Sequence, residues 1–314
     1  MTSRPLFLGV LCALGAGLLW GLVFVAPVIL DDYPPVMLAF GRYLAFGVIA
    51  LPLALRGRNR LARLERCDWL AAFELSLVGN ILYYLCLAAA IQLAGAPLPT
   101  MIIGTLPVVI AVVSNLHEGM LPWRRLVPSL GVIGLGIVLV NQHEVGQLNG
   151  NLPAGYGLGI VLALAANACW TWYPIRNSRW LKRRPQISSD IWATAQGLAT
   201  LPLALIGMAL TGWWFARSGS FNFPLGPRPG LYIGLMLAIG LLASWLGTLL
   251  WNRASQLLPT ALAGQLIVFE TLAAFGYAFL WRGQAPGLLA LAGMALLVLG
   301  VMLGVRVFRN KSAV

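Results

Sequence analysis

Apolar residues run through this chain in ten stretches separated by short polar connections, near residues 6–28, 36–55, 69–92, 97–117, 126–141, 154–176, 190–213, 230–252, 259–281 and 286–306. Most approach the roughly 20 residues an α-helix needs to cross a bilayer core, and the fifth is short. Runs of this length exceed what strands or buried soluble helices require, so the pattern predicts an all-α integral membrane protein of ten transmembrane helices. The first run, Leu6 to Val28, is too long for a signal-peptide core and lacks a small-residue cleavage site; it reads as the first span.

Composition narrows the classes further. Of 314 residues, 60% are apolar and only 10% charged, with a mean hydropathy of +0.84, whereas a soluble domain is about a quarter charged. Ten spans leave about a third of the chain for connections, which holds no separate soluble domain. A cytosolic enzyme, a secreted disulfide scaffold and a nucleic-acid binder are thereby excluded. Three of the four cysteines, Cys12, Cys86 and Cys169, lie inside apolar runs, and Cys67 lies in an arginine-rich connection, so no disulfide framework is expected.

The placement of charge fixes an orientation. With the N-terminus in the cytoplasm, 17 of the 21 basic residues fall inside and three, Arg217, Arg228 and Arg282, fall outside, while Arg42 lies within the second span. An even number of spans preserves this positive-inside bias and an odd number destroys it. Both termini are therefore expected in the cytoplasm.

The halves resemble each other at fixed spacing. Gly9 to Trp20 overlies Gly159 to Trp170 at an offset of 150, and Leu51-Pro-Leu-Ala-Leu55 overlies the identical Leu201 to Leu205. After an insertion of 12, Tyr83 meets Trp245, Pro97 meets Pro259 and Gly131 meets Gly293. Residues 1–147 and 148–314 then read as two five-helix repeats. Five is odd, so the second repeat enters the membrane with opposite polarity, an inverted repeat of the kind that lets a carrier open alternately to each side.

These residues resemble the drug/metabolite transporter superfamily, EamA type. The resemblance rests on Trp20-Gly21 and Trp170 in the Ala-rich first helix of each half, Arg42-Tyr43, Tyr83 before an Ala-rich stretch, Leu106-Pro107, and the Gly-spaced fifth and tenth spans. The aromatic content of the helix centres looks most like the YddG group of aromatic amino acid exporters. The chain departs from the family pattern at Leu22-Val23, at Glu270-Thr271 and at Gly283-Gln284, whereas the first half keeps Glu118. The resemblance implies export of aromatic or neutral amino acids and related metabolites, bound near the midplane between the halves, in the bacterial inner membrane.

Candidate chemistry lies within the spans. Asn80, Tyr83 and Tyr84 share a face of the third span, Asn167, Trp170 and Thr171 a face of the sixth, and Gly17, Trp20 and Gly21 a face of the first. Such faces either line a cavity, where flat rings sandwich a planar substrate and attract a cation, or pack helices through asparagine hydrogen bonds. Glu270 lies deep in the ninth span, where a carboxylate binds a substrate ammonium group, exchanges a proton, or pairs with Arg42; Arg42 could instead face a substrate carboxylate. Pro107 and Pro174 are candidate hinges. Trp69, Trp123, Trp180, Trp213, Trp214 and Trp281 fall near span ends as interfacial anchors, and Trp172, Trp245 and Trp251 are secondary cavity candidates.

The two histidines, His117 and His143, sit at span ends, and no metal cluster, catalytic relay or nucleotide loop is visible. The expectation is a secondary carrier without cofactor or metal, whose partners are a small-molecule substrate and the lipid bilayer, acting as a monomer. A carrier for a drug-like cation or a sugar derivative is the alternative. A channel or receptor reading gains nothing from the inverted repeat.

Overall fold

The computed structural model describes residues 3–311 except 25, 31, 95–96, 119–121, 141–154 and 284–286. The junction at 147/148, His143 and Gln284 therefore lie outside the described residues, as do the side chains of His117, Glu118 and Trp281. Every regular element among the described residues is helical, as hydrocarbon requires when no water is present to satisfy backbone groups. Among the described residues, eight helices are long and apolar enough to cross a membrane, and Leu106–Leu116 is a shorter apolar one.

The spans are α1 (Ser3–Gly21), α2 (Pro35–Arg56), α3a and α3b (Arg66–Leu75 and Tyr83–Ala94), α4a and α4b (Pro97–Gly104 and Leu106–Glu118) and α5 (Trp123–Val140). They continue with α6 (Tyr156–Arg183), α7 (Ser189–Ser218), α8a and α8b (Pro229–Ile239 and Gly247–Leu257), α9a and α9b (Thr260–Leu266 and Val268–Arg282) and α10 (Leu288–Lys311). Prolines open α2, α4a and α8a, where a missing N–H costs no intrahelical bond. Gly219, at φ 60°, ends α7 by donating its N–H to Phe215 O.

Equivalent spans of the two halves pack against each other in opposite directions. Along α2 and α7, Gly47 abuts Leu201, Gly197 abuts Ala50 and Gly207 abuts Phe40. Along α5 and α10, Gly136 lies by Gly293, and Gly300 lies by Ile133 and Ser129. Other large contacts include the exchanged pair α1 with α8b and α3b with α6, together with α1 on α9b and α4b on α9a. At the α1 crossing Gly9 meets Leu258, Gly15 meets Leu250 and Trp20 meets Ala243. Small residues at these crossings let the backbones approach, which is how helices associate in lipid. Leucines such as Leu70, Leu210 and Leu280 face outward, while Ser76, Asn177, Gln196 and Thr200 are buried.

The ladder is interrupted at matching places. Both α3 and α8 contain a seven-residue π-helical stretch, Ser76–Leu82 and Gly240–Leu246. Both α4 and α9 break, at Thr105 and at Ile267, positions 162 residues apart and so at the offset that relates Pro97 to Pro259. Pro107 lies in the first turn of α4b and accounts for the first break. No proline accompanies the second, so the unbroken ninth run expected from hydropathy is corrected: Ile267 N bonds three residues back to Gly264 O, and Glu270 N to Ile267 O. Pro174 lies inside α6, which runs from Tyr156 to Arg183.

Candidate functional site

Gly17 and Gly21 bring α1 against the backbone of α9b near Glu270 and Ala273, and this approach points Trp20 at the middle of the bundle. Trp20 is 5% exposed, and its indole N–H donates to Ala243 O at 3.0 Å, in the π stretch of α8. A column of rings grows from it. Trp251 lies 5.3 Å away on one side and Trp170 5.6 Å away on the other; Trp170 in turn stacks on Tyr83 at 4.9 Å and on Tyr173 at 5.0 Å. Rings from α1, α3b, α6 and α8b thus meet at one level. Of the secondary candidates, Trp251 joins this column, whereas Trp245 donates to Thr194 Oγ1 at 3.1 Å and Trp172 packs against the apolar core.

Charge enters from two further spans. Arg42 on α2 donates from Nε to Ser244 Oγ at 2.9 Å and lies over the ring of Tyr43, 5.1 Å from its centroid. Tyr84 meets Tyr43 edge-on at 6.4 Å. Glu270 lies in the first turn of α9b, within electrostatic reach of Arg42 and Tyr83. The two are not within 4 Å of each other among the described residues, because Arg42 is held by Ser244. The structure therefore brings Trp20, Arg42, Tyr83, Tyr84, Trp170 and Glu270 together.

The two asparagines serve differently. Asn80, within the π stretch of α3, donates to Thr200 Oγ1 at 3.2 Å and ties α3 to α7. Asn167 donates from Nδ2 to Ile102 O at 2.5 Å and to Thr105 Oγ1 at 3.2 Å, so its amide covers a carbonyl beside the α4 break. Both amides are engaged in hydrogen bonds between helices.

A buried polar network on α6, α7 and α8b escaped the sequence reading. Trp192, fully buried, donates to Asn177 Oδ1 at 2.8 Å; Asn177 Nδ2 donates to Asn252 Oδ1 at 2.9 Å; and Tyr173 donates to Gln196 Oε1 at 2.8 Å. Its one local sign was Gln196 in an otherwise apolar run. Trp180, expected as an anchor, lies under Arg176 and near Trp192, with its N–H buried, whereas Trp123, Trp213 and Trp214 are exposed near helix ends.

The two ends of the bundle close in different ways. At the end carrying both termini, Arg184 pairs with Glu65 at 2.6 Å and Asp68 at 3.5 Å, Arg60 with Asp190 at 2.8 Å, and Arg176 with Glu74 at 2.8 Å. Each pair joins a residue of the 58–75 region to α6, α7 or their connection. Hydrogen bonds from Arg184 and then Cys67 hold the Glu65 carboxyl down at about 2. At the opposite end Asp32 pairs with Arg228, which lowers the Asp32 carboxyl, and Tyr33 stacks on Tyr232 at 5.0 Å. There Tyr232 donates to Met37 O at 2.8 Å and Tyr33 to Leu225 O at 2.6 Å.

Comparison with known proteins agrees with this architecture. The model of the EamA-like transporter family matches residues 7–142. Inner membrane protein YtfF of Escherichia coli (strain K12) is 53% identical over 312 residues, with 96% of each chain covered. A crystal structure of a protein 18% identical to this one aligns with a TM-score of 0.75 over 96% of this chain and 98% of its own, a likeness of fold. The chain belongs to the EamA-like transporter family.

Proposed function

We propose that the chain is a secondary carrier that exports aromatic or neutral amino acids and related small metabolites, binding them at the ring-lined centre and exposing that centre to each side of the membrane in turn. The observation that carries this reading is one cation, Arg42, and one carboxylate, Glu270, set apart beside Trp20, Tyr83, Tyr84 and Trp170. An aromatic zwitterion has the complementary parts: a carboxylate for the guanidinium, an ammonium group for Glu270 and a flat ring for the rings. The sequence resemblance to the YddG group supports the same substrate class. Residues 1–147 and 148–314 are the two halves whose exchange of conformation alternates access. The positive-inside bias supports cytoplasmic termini, and the name of the 53% identical relative supports an inner membrane location. One chain contains both halves, so a monomer suffices.

A second reading, a carrier for an aromatic organic cation, uses Glu270 and the rings without Arg42. Uptake into proteoliposomes separates the two. The first expects saturable tryptophan uptake that falls about tenfold or more in both Arg42→Gln and Glu270→Gln. The second expects tetraphenylphosphonium uptake that Glu270→Gln stops and Arg42→Gln spares. Saturable uptake of neither would remove both. Dependence on a pH gradient that Glu270→Gln abolishes would assign proton exchange to that carboxylate. Cys67 reports the orientation: it is the exposed cysteine, so an impermeant maleimide should label it from the cytoplasmic side alone.

A further inference from the structure

A groove of about 360 Å³ runs down the flank of the bundle between α1, α9 and α10, away from the ring-lined centre. Val10 lines it from α1, Leu266 and Val268 from α9, and Met302 from α10; Arg306 is the one polar residue along it. From Val298 to Arg306 the groove follows nine residues of α10, a rise of about 12 Å, most of the ~15 Å that one leaflet's hydrocarbon occupies. Arg306 stands at its end toward Lys311, exposed, with no acidic side chain within 4 Å among the described residues. This is an apolar trough nearly the length of a leaflet, with one guanidinium, that of Arg306, among its described lining residues.

We propose that this groove is a binding site for an anionic glycerophospholipid of the leaflet at the terminal end, one acyl chain in the trough and the phosphate on Arg306. A guanidinium forks onto phosphate oxygens, and basic positions between spans select anionic headgroups. An acyl chain matches an apolar wall that would leave a polar solute's groups without partners. Leu266 and Val268 flank Ile267, so the chain lies against the α9 break and braces it.

Native mass spectrometry of the whole purified protein tests this without reference to transport, using phosphatidylglycerol and phosphatidylcholine of the same acyl composition. One phosphatidylglycerol per chain is expected to be retained about tenfold more than phosphatidylcholine. Arg306→Gln should abolish that preference, Met302→Trp, which fills the trough, should lower retention of both lipids, and Arg56→Gln, a charge at the same end outside the groove, should change neither. Equal retention of the two lipids, or an unchanged preference in Arg306→Gln with melting intact, would overturn the site. A dimer mass lost on Met302→Trp would overturn it too, giving the groove to a second copy.

Discussion

The two helix breaks occupy equivalent places yet are secured differently. At the α4 break, Asn167 of α6 donates to Ile102 O and Thr105 Oγ1. The residue of α1 equivalent to Asn167 at the 150 offset is Gly17, which brings no side chain and lies directly on the backbone of Phe269 and Glu270, just past the α9 break. One break is pinned by an amide reaching from α6, the other by the close contact of α1 and, two residues before it, by Ser129 Oγ donating to Gln265 Oε1 at 3.3 Å. The ion pairs follow the same division, since those of Arg60, Arg176 and Arg184 tie the 58–75 region to α6, α7 or their connection. Two copies of one architecture thus yield a side tied by an amide and ion pairs, with α3, α4 and α6, and, among the described residues, a flank looser in ion pairs alone, with α1, α9 and α10, where Tyr277 donates to Leu18 O. The looser flank carries Glu270.

This contrast is open to direct attack. The largest effect is expected from Gly17→Ala, because the added carbon would stand 2.9 Å from Glu270 N and 3.1 Å from Phe269 C, backbone atoms that must shift. The expected loss is about 1–3 kcal/mol in detergent unfolding, with transport impaired as α1 and α9b are forced apart. Asn167→Leu should follow, at about 1–2 kcal/mol, since it strips the donor from Ile102 O; amide exchange should quicken around 102–105 and not around 264–267. If both breaks respond alike, the contrast is wrong.

Smaller effects come from the tied side's charges. Arg184→Ala removes the partner of Glu65 and Asp68 and should lower the melting temperature slightly at low salt. Raising salt should narrow the difference between the unmodified protein and the variant, because screening acts on exposed pairs. Smallest is the response to acid. Glu65 is held near 2 against an ordinary 4.5, so its contribution is complete above 4.5 and lost as pH falls toward about 2. Melting temperature should decline over that window, and less so in Glu65→Gln.

How much of this was legible in the sequence depends on where the partner of each residue lies. The spans were readable because apolar length is a property of the segment itself, and the α4 break because Pro107 lacks an N–H. The α9 break has no such local cause, since Ile267 is an ordinary helical residue and its bond to Gly264 is visible only in the fold. Trp20, Tyr83 and Trp170 were found because rings at helical spacing stand out in apolar runs. Asn80 and Asn167 stood out equally, yet what each amide does is set by Thr200 and by Ile102 on other helices. Trp192 and Asn177 passed unnoticed because their meeting needs two helices packed together.

The ring column has a final consequence. Trp20 and Trp170 are counterparts under exchange of the halves, so that operation leaves their contact as it was. The charges do not obey it: the counterpart of Arg42 at the 150 offset is Trp192, and that of Glu270 at the 162 offset is Val108. Under the proposed alternating access, swapping the conformations of the halves would give each charge the surroundings that its uncharged counterpart has now, so the two resulting states would differ in energy. If the halves exchange as proposed, two unmatched charges tip the molecule to one resting side.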